Sequence, residues 1–309
     1  MLRVAAAQMG PIGRAESRES VVARQVALLE EAAARSAELV VFPELALTTF
    51  FPRWHITNEA EIDAFYETEM PNDATKPLFD AALELGVGFA LGFAEIVTDD
   101  DGTQHRYNSM VLVERDGTKV ATFRKVHIPG HEENEDWRAF QHLERYYFEP
   151  GPEGFGVWKA FGGYIGMMLC NDRRWSETYR VMGLQGVEMI LCGYNTPILY
   201  APDPTQNNLA GFHNQLVMQA GAYQNGTWVI GVAKGGREEG VDSLAQSCII
   251  APSGQVVAQT LTEGDEVIVA RCDLDWTKRY KDTLFDFEHY RMPQYYDRIT
   301  SQKGVVLPD

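Results

Sequence analysis

The sequence predicts an α/β protein built in layers around a mixed sheet. Short apolar runs of strand type alternate along the chain with stretches of helical period. Asp116-Gly117 and Ser253-Gly254 mark tight hairpins, which add antiparallel pairs to an interleaved arrangement. No Pro/Ser/Gly-rich linker, low-complexity run or internal repeat divides the 309 residues, so one domain spanning 1–309 is expected.

The elements follow in order. Residues 3–8 form a buried first strand; the apolar run is too short, and too poor in charged leader, for a signal peptide. Residues 18–35 place Val22, Val26, Leu29 and Ala33 on one face of a helix. A strand at 39–42 and a short helix at 76–85 come next. Strands at 87–96, 107–114 and 119–123 follow, the last two joined through Asp116-Gly117. The segment 124–150 is irregular and rich in aromatics (Trp137, Phe140, Tyr146, Tyr147, Phe148), which marks it as a pocket wall or lid. Strands at 157–158, 164–170 and 188–192 surround a short helix at 178–184. A helix at 208–223, with Leu209, Phe212, Leu216, Ala220 and Tyr223 on one face, leads to strands at 228–233, 247–251, 256–259 and 266–272.

Composition narrows the function. A formal charge of −17 argues against a nucleic-acid partner, which needs clustered Lys and Arg. No stretch reaches the ~18 apolar residues of a membrane span. Cys170, Cys192, Cys248 and Cys272 form no CxxC pair, so zinc and dithiol signatures are absent and a reduced, cytoplasmic setting fits. His127, His131 and His142 lie close in sequence. Pro129-Gly130 interrupts the helix that an i, i+4 ligand pair would need, so neither a metal nor a cofactor is expected.

Three segments carry chemistry. An apolar strand ends at Cys170 and is followed at once by Asn171-Asp172-Arg173-Arg174. Positive charge beside a thiol favours the thiolate, the nucleophilic form. Phe42-Pro43-Glu44 sets a carboxylate just past the strand at 39–42, and Arg124-Lys125-Val126-His127-Ile128-Pro129 sets a lysine at the end of another. Taken singly, these residues better suit a buried structural cysteine, a loop-capping glutamate and a solvated basic pair.

Together and in this order, FPE, RK-x-H-x-P and the apolar run ending Cys-Asn-Asp resemble the nitrilase superfamily of carbon–nitrogen hydrolases, over nearly the whole chain. The stretches PELALTTFFPRWH, YETEMP, FQHLERYYFEPG, CNDRRW, GYNTP and MQAGAYQNG look like its branch acting on N-carbamoyl-D-amino acids. The resemblance implies a four-layer α-β-β-α sandwich that pairs through a helical layer, as a homodimer or homotetramer. It implies a second carboxylate, Glu144, that orients the lysine or the hydrolytic water, and His127 and His142 as shapers of the pocket.

Hydrolysis of such a bond assigns Cys170 as nucleophile and Glu44 as base, with Lys125 and the backbone N–H of Asn171 stabilising the oxyanion. Arg173 and Arg174 suit a fork onto a substrate α-carboxylate, although adjacent residues seldom point the same way. Asn195 and Thr196, after the strand at 188–192, add hydrogen bonds to substrate. The expected partner is therefore a small molecule bearing an α-carboxylate. β-Ureidopropionase-like and aliphatic amidase activities remain open, as does a binding module with a decayed site.

Overall fold

The computed structural model describes residues 1–308. Its strands are β1 (Leu2–Gln8), β2 (Leu39–Val41), β3 (Gly88–Thr98), β4 (Gln104–Val113), β5 (Lys119–Arg124), β6 (Val157–Ala160), β7 (Gly163–Leu169), β8 (Met189–Tyr194), β9 (Trp228–Ala233), β10 (Gly235–Glu238), β11 (Val241–Leu244), β12 (Cys248–Ile250), β13 (Val256–Gln259) and β14 (Glu266–Cys272). The helices used below are α1 (Arg18–Ala34), α2 (Glu59–Asp63), α3 (Lys76–Leu85), α4 (Glu144–Tyr147), α5 (Ser176–Leu184) and α6 (Ala210–Asn225).

Two six-stranded sheets form, in the orders β14-β1-β2-β3-β4-β5 and β13-β12-β9-β8-β7-β6. Each is mixed: β1, β2 and β3 run parallel, as do β7, β8 and β9, and the flanking pairs are antiparallel. Strand alternation explains the stacking. On β1, Val4 and Ala6 point into an apolar layer shared with Met167, Leu169, Leu191 and Ile230 of the other sheet. Ala5 and Ala7 point the opposite way, onto Val22, Leu29, Leu78 and Ala82 of α1 and α3. On the far side, Met168, Ile190 and Cys192 pack against Tyr179, Met182 and Met218 of α5 and α6. The result is the α-β-β-α sandwich that the sequence resemblance implied.

Helix α1 starts at Ser17, whose side chain accepts a hydrogen bond from Ser20 N. Its buried face is Val21, Val22, Gln25, Leu28, Leu29 and Ala32, shifted by about a residue from the expected stripe. The expectation for α6 is overturned more fully. Its buried residues are Asn214, Met218, Gly221, Ala222 and Asn225, while Phe212 and Leu216 are 63% and 48% exposed. The inner face is partly polar because Asn214 is needed there by Arg173 and Tyr194. The stripe of large apolar residues therefore faces outward.

The hairpin β10–β11 and the short helices α2 and α4 escape sequence reading. Arg237, Glu238 and Asp242 break the apolar alternation in the hairpin, yet Glu239 and Gly240 both take positive φ, 50° and 88°, as a type I′ turn requires. Single-turn helices such as α2 and α4 are too short to show a period.

Candidate active site

Glu44 lies just beyond β2, fully buried. Its backbone threads between the two sheets where only glycine fits. A Cβ on Gly92 of β3 would lie 2.4 Å from Pro43 O, and one on Gly193 of β8 would lie 2.7 Å from Glu44 N. Its Oε1 accepts from Lys125 Nζ at 2.7 Å and from Asn108 Nδ2 at 2.8 Å; Oε2 accepts from the backbone N–H of Asn195 at 2.9 Å. Lys125, one residue past β5 and also fully buried, donates to Glu144 Oε2 at 2.5 Å. Glu144 opens α4, and its Oε1 lies 3.0 Å from His142 Nε2. One ammonium thus sits between two carboxylates, closed to solvent.

Cys170 follows β7 with φ +42°, in the left-handed region that costs a side chain of order 1–3 kcal/mol. Arg173 Nη1 donates to Cys170 O at 2.6 Å, and Asp172 Oδ2 accepts from Leu169 N at 3.1 Å. These bonds hold the elbow in place. Asp172 Oδ1 also receives the His127 N–H at 2.8 Å and lies 2.9 Å from His127 Nδ1. Asn171 Nδ2 donates to His127 O at 3.1 Å. The nucleophile turn and the loop after Lys125 are therefore tied together. Cys170 Sγ lies 3.6 Å from Thr196 Oγ1, and Thr196 Oγ1 accepts from Arg173 Nη2 at 2.9 Å, which leaves the threonine proton free to point at sulfur.

A cavity of about 700 Å³ opens in front of Cys170. Asn171, Arg174, Asn195, Thr196 and His142 line it, so these expected substrate contacts do converge. Residues 129–131, 138 and 140–142 form one wall, as expected of the segment 124–150.

Two expectations are corrected. Arg173 does not reach the cavity: it is 1% exposed, its Nε is taken by Asn214 at 2.8 Å, and its guanidinium lies over the Tyr194 ring. Of the pair, Arg174 faces the cavity and makes no ion pair among the described residues. His127 does not line the cavity either. It is stacked between Phe155 and Trp175 and clamped to Asp172, where it braces the site from outside the pocket.

Sequence reading also missed Asn108, Asp172 as a tie, and the glycines at 92 and 193. The signal for Asn108 is a polar Asn-Ser pair inside the apolar run of β4. Among the described residues, no group of three or more His, Cys, Asp or Glu is placed to hold a metal, and no helix is long and apolar enough to cross a membrane.

Electrostatics assign the protons. Burial raises the Cys170 thiol above its ordinary value, and Glu44 adds to this; Lys125 and Arg173 pull the other way but lose. The cysteine therefore rests as a thiol, because burial outweighs the positive charge beside it, which is why a base such as Glu44 is needed. A base must act at the moment of attack. Burial likewise raises Glu44 above 4.5 despite Lys125, whereas Glu144 ends below 4.5, because Lys125 and His142 outweigh its burial. Lys125 stays charged: burial opposes its charge, and Glu144 and Glu44 more than restore it.

A pH dependence follows. The base form of Glu44 is lost as pH falls through its raised value, so kcat/KM should decline on the acid side before ordinary carboxylates titrate. The limb belongs to the coupled Glu44–Lys125–Glu144 group as a unit. A pH–rate profile checks this; an acid limb at or below 4.5 would contradict the assignment.

A buried thiol, carboxylate and ammonium arranged in this way support nucleophilic attack on a carbonyl-type carbon. Comparisons with known proteins agree. The family model described as "Carbon-nitrogen hydrolase" matches residues 3–282. The chain is 29% identical over 295 residues to an N-carbamoylputrescine amidase from Arabidopsis thaliana, covering 92% of this chain and 91% of that protein. It is 32% identical over 200 residues to a citrullinase from Francisella tularensis, covering 62% and 65%. In structure it resembles a carbon–nitrogen hydrolase from Helicobacter pylori, with a TM-score of 0.82 at 21% identity, covering 97% and 98% of the two chains. The chain belongs to the carbon–nitrogen hydrolase family, the nitrilase superfamily, and is a hydrolase of carbon–nitrogen bonds.

Proposed function

We propose that the protein hydrolyses N-carbamoyl amino acids of D configuration to the free amino acid, ammonia and carbon dioxide. Cys170 Sγ attacks the ureido carbon while Glu44 takes the thiol proton. Lys125 and the Asn171 N–H stabilise the oxyanion, and the departing nitrogen is protonated as the tetrahedral species collapses to a thioester. Water, oriented by Glu44 and Glu144, then cleaves that thioester and returns the thiol, and the carbamic acid released breaks down to carbon dioxide and the second amine.

The observation that carries this reading is the free guanidinium of Arg174 in the same cavity as the thiol. A ureido compound related to N-carbamoylputrescine, the substrate named for the Arabidopsis relative, ends in an ammonium. Here such a group would meet the positive charge of Arg174; the cavity wall also carries the Asp203 carboxylate, among the described residues its only acid, bonded to Thr205 and Gln206. A carboxylate is the complementary end group. The D preference rests on the segment resemblance alone. The same reading takes the chain to pair through its outer helices, supported by the outward apolar face of α6, and to work in the cytoplasm, supported by four free cysteines.

The test is a panel of kcat/KM values for N-carbamoyl-D-phenylalanine, its L isomer, the D-amide, N-carbamoyl-β-alanine and N-carbamoylputrescine. The D acid is expected to lead. Arg174→Ala should reduce kcat/KM for the acid by about 10- to 100-fold, the worth of a charged hydrogen bond at a solvent-reachable site. It should barely change the value for the D-amide. Equal turnover of acid and amide by the wild type defeats the carboxylate anchor and leaves an amidase; equal turnover of D and L defeats the handedness. A lead by N-carbamoyl-β-alanine turns the reading to a β-ureidopropionase.

A further inference from the structure

A second buried charge cluster lies outside the catalytic group. Glu238, at the end of β10, is 2% exposed and sits between Arg53 and Lys234, at 4% and 1%. Its Oε1 accepts from Arg53 Nη2 at 2.6 Å, from Phe50 N at 2.7 Å and from Thr49 Oγ1 at 3.2 Å. Its Oε2 accepts from Lys234 Nζ at 2.7 Å and from Ile12 N at 2.9 Å. Lys234 Nζ also donates to Thr48 O at 2.8 Å, Arg53 Nε to Phe50 O at 2.9 Å, and Arg53 Nη1 to the Glu238 carbonyl. No hydrogen bond among the described residues joins this cluster to Cys170, Lys125 or the Glu44 carboxylate.

Burying charges is a poor way to gain stability, because apolar residues of similar volume usually do as well or better. What such a cluster supplies is fixed position. Two of the segments it grips, the 50–53 turn and the hairpin, form walls of the substrate cavity, while the segment around Ile12 does not. Phe50 and Arg53 line the cavity themselves. The turn that carries them holds the lid, since Pro52 O accepts from Leu143 N at 2.8 Å and Arg53 O from Gln141 N at 3.0 Å. Beyond Glu238, the hairpin brings Val241 and Ser243 to the cavity, and its Gly240 closes on Phe140 of the lid, where a Cβ would stand 3.2 Å from Phe140 Cζ. One carboxylate therefore joins the 50–53 turn, the lid and the hairpin.

We propose that Glu238 is a positioning residue that sets the width of the substrate cavity on the side formed by Phe50, Phe140 and Val241. It acts on substrate fit, at a distance from the bond being cleaved. The proposal rests on the functional reading above only for the substrates used to measure it.

The experiment pairs kinetics with alkylation of Cys170 in Glu238→Gln and Glu238→Asp. The first removes the carboxylate charge that Arg53 and Lys234 share; the second keeps the charge but draws it back by one methylene. In Glu238→Gln, KM for N-carbamoyl-D-phenylalanine should rise about 10-fold, with kcat within about 3-fold of wild type. The preference over N-carbamoylglycine should shrink, with Glu238→Asp between the two. Iodoacetamide should label Cys170 at the wild-type rate in both variants. The bulkier iodoacetanilide should change its rate relative to iodoacetamide by about 3-fold or more. A fall in kcat with KM unchanged overturns the proposal, and so does a drop in melting temperature with unchanged kinetics and alkylation ratio. If the wild type turns over none of these substrates, the functional reading fails and the alkylation ratio alone decides this one. Should Glu238→Gln not fold, Glu238→Asp yields the same readouts.

Discussion

Cys170→Ala should lower kcat by more than about 10⁴-fold, because the covalent route disappears and only binding and oxyanion contacts remain. The fold should persist. The side chain is small, and the elbow is held by Arg173 on Cys170 O and by Asp172 on Leu169 N, neither of which uses the sulfur. The melting temperature should stay within about 4 °C of wild type. Ammonia release and circular dichroism measure the two outcomes. Selectivity among thiols gives an independent check. Burial pushes Cys248 and Cys272 up to about 12 and Cys192 higher still, and none of them lines the cavity. Iodoacetamide followed by mass spectrometry should find Cys170 labelled first. Full activity in the alanine variant, or fastest labelling elsewhere, would remove Cys170 as nucleophile.

The second large effect is expected for Lys125→Ala. It should lower kcat by about 10²–10³-fold or more, from the lost oxyanion donor and from a base that can no longer stay ionised. Unlike Cys170→Ala, it should also destabilise the fold. Removing the ammonium leaves Glu44 and Glu144 buried without the cation that both pair with, and breaking a buried pair from one side costs about 3–5 kcal/mol. Both carboxyls then titrate at raised values, so the sign is fixed. The loss is greatest at neutral pH, where they would be ionised, and shrinks as pH falls and they become neutral. Lys125→Ala/Glu144→Gln should recover part of the stability and none of the activity. Thermal melts at two pH values, with turnover at neutral pH, separate the two contributions. A single variant with wild-type melting and turnover within about threefold would refute the assigned role.

Much of this molecule was legible in its sequence, for local reasons. A strand end that turns into a polar cluster announces itself, and Glu44, Lys125 and Cys170 each stand at such an end. The strands of both sheets show as apolar runs because both faces of each sheet are covered. Glu144 and His142 were legible only by resemblance, since one opens a helix of four residues, too short for a period, and the other lies in irregular chain just before it. The balance at Cys170 is visible in sequence only on one side: the neighbouring arginines can be read there, whereas burial and the approach of Glu44, which together raise the thiol, cannot. The outward face of α6 was misjudged for a related reason. Which side of an amphipathic helix is inside depends on what waits there, and here it is the Arg173 guanidinium, which Asn214 satisfies and a leucine would not. Tertiary structure alone distinguished Arg174 from Arg173, withdrew His127 from the pocket, and brought Glu238 to Arg53 across 185 residues. Sequence determines which residues lie at chain turns and which charges sit side by side. Pairings between distant segments depend on how two sheets stack and where a glycine lets one backbone reach another, and those are properties of the packed fold.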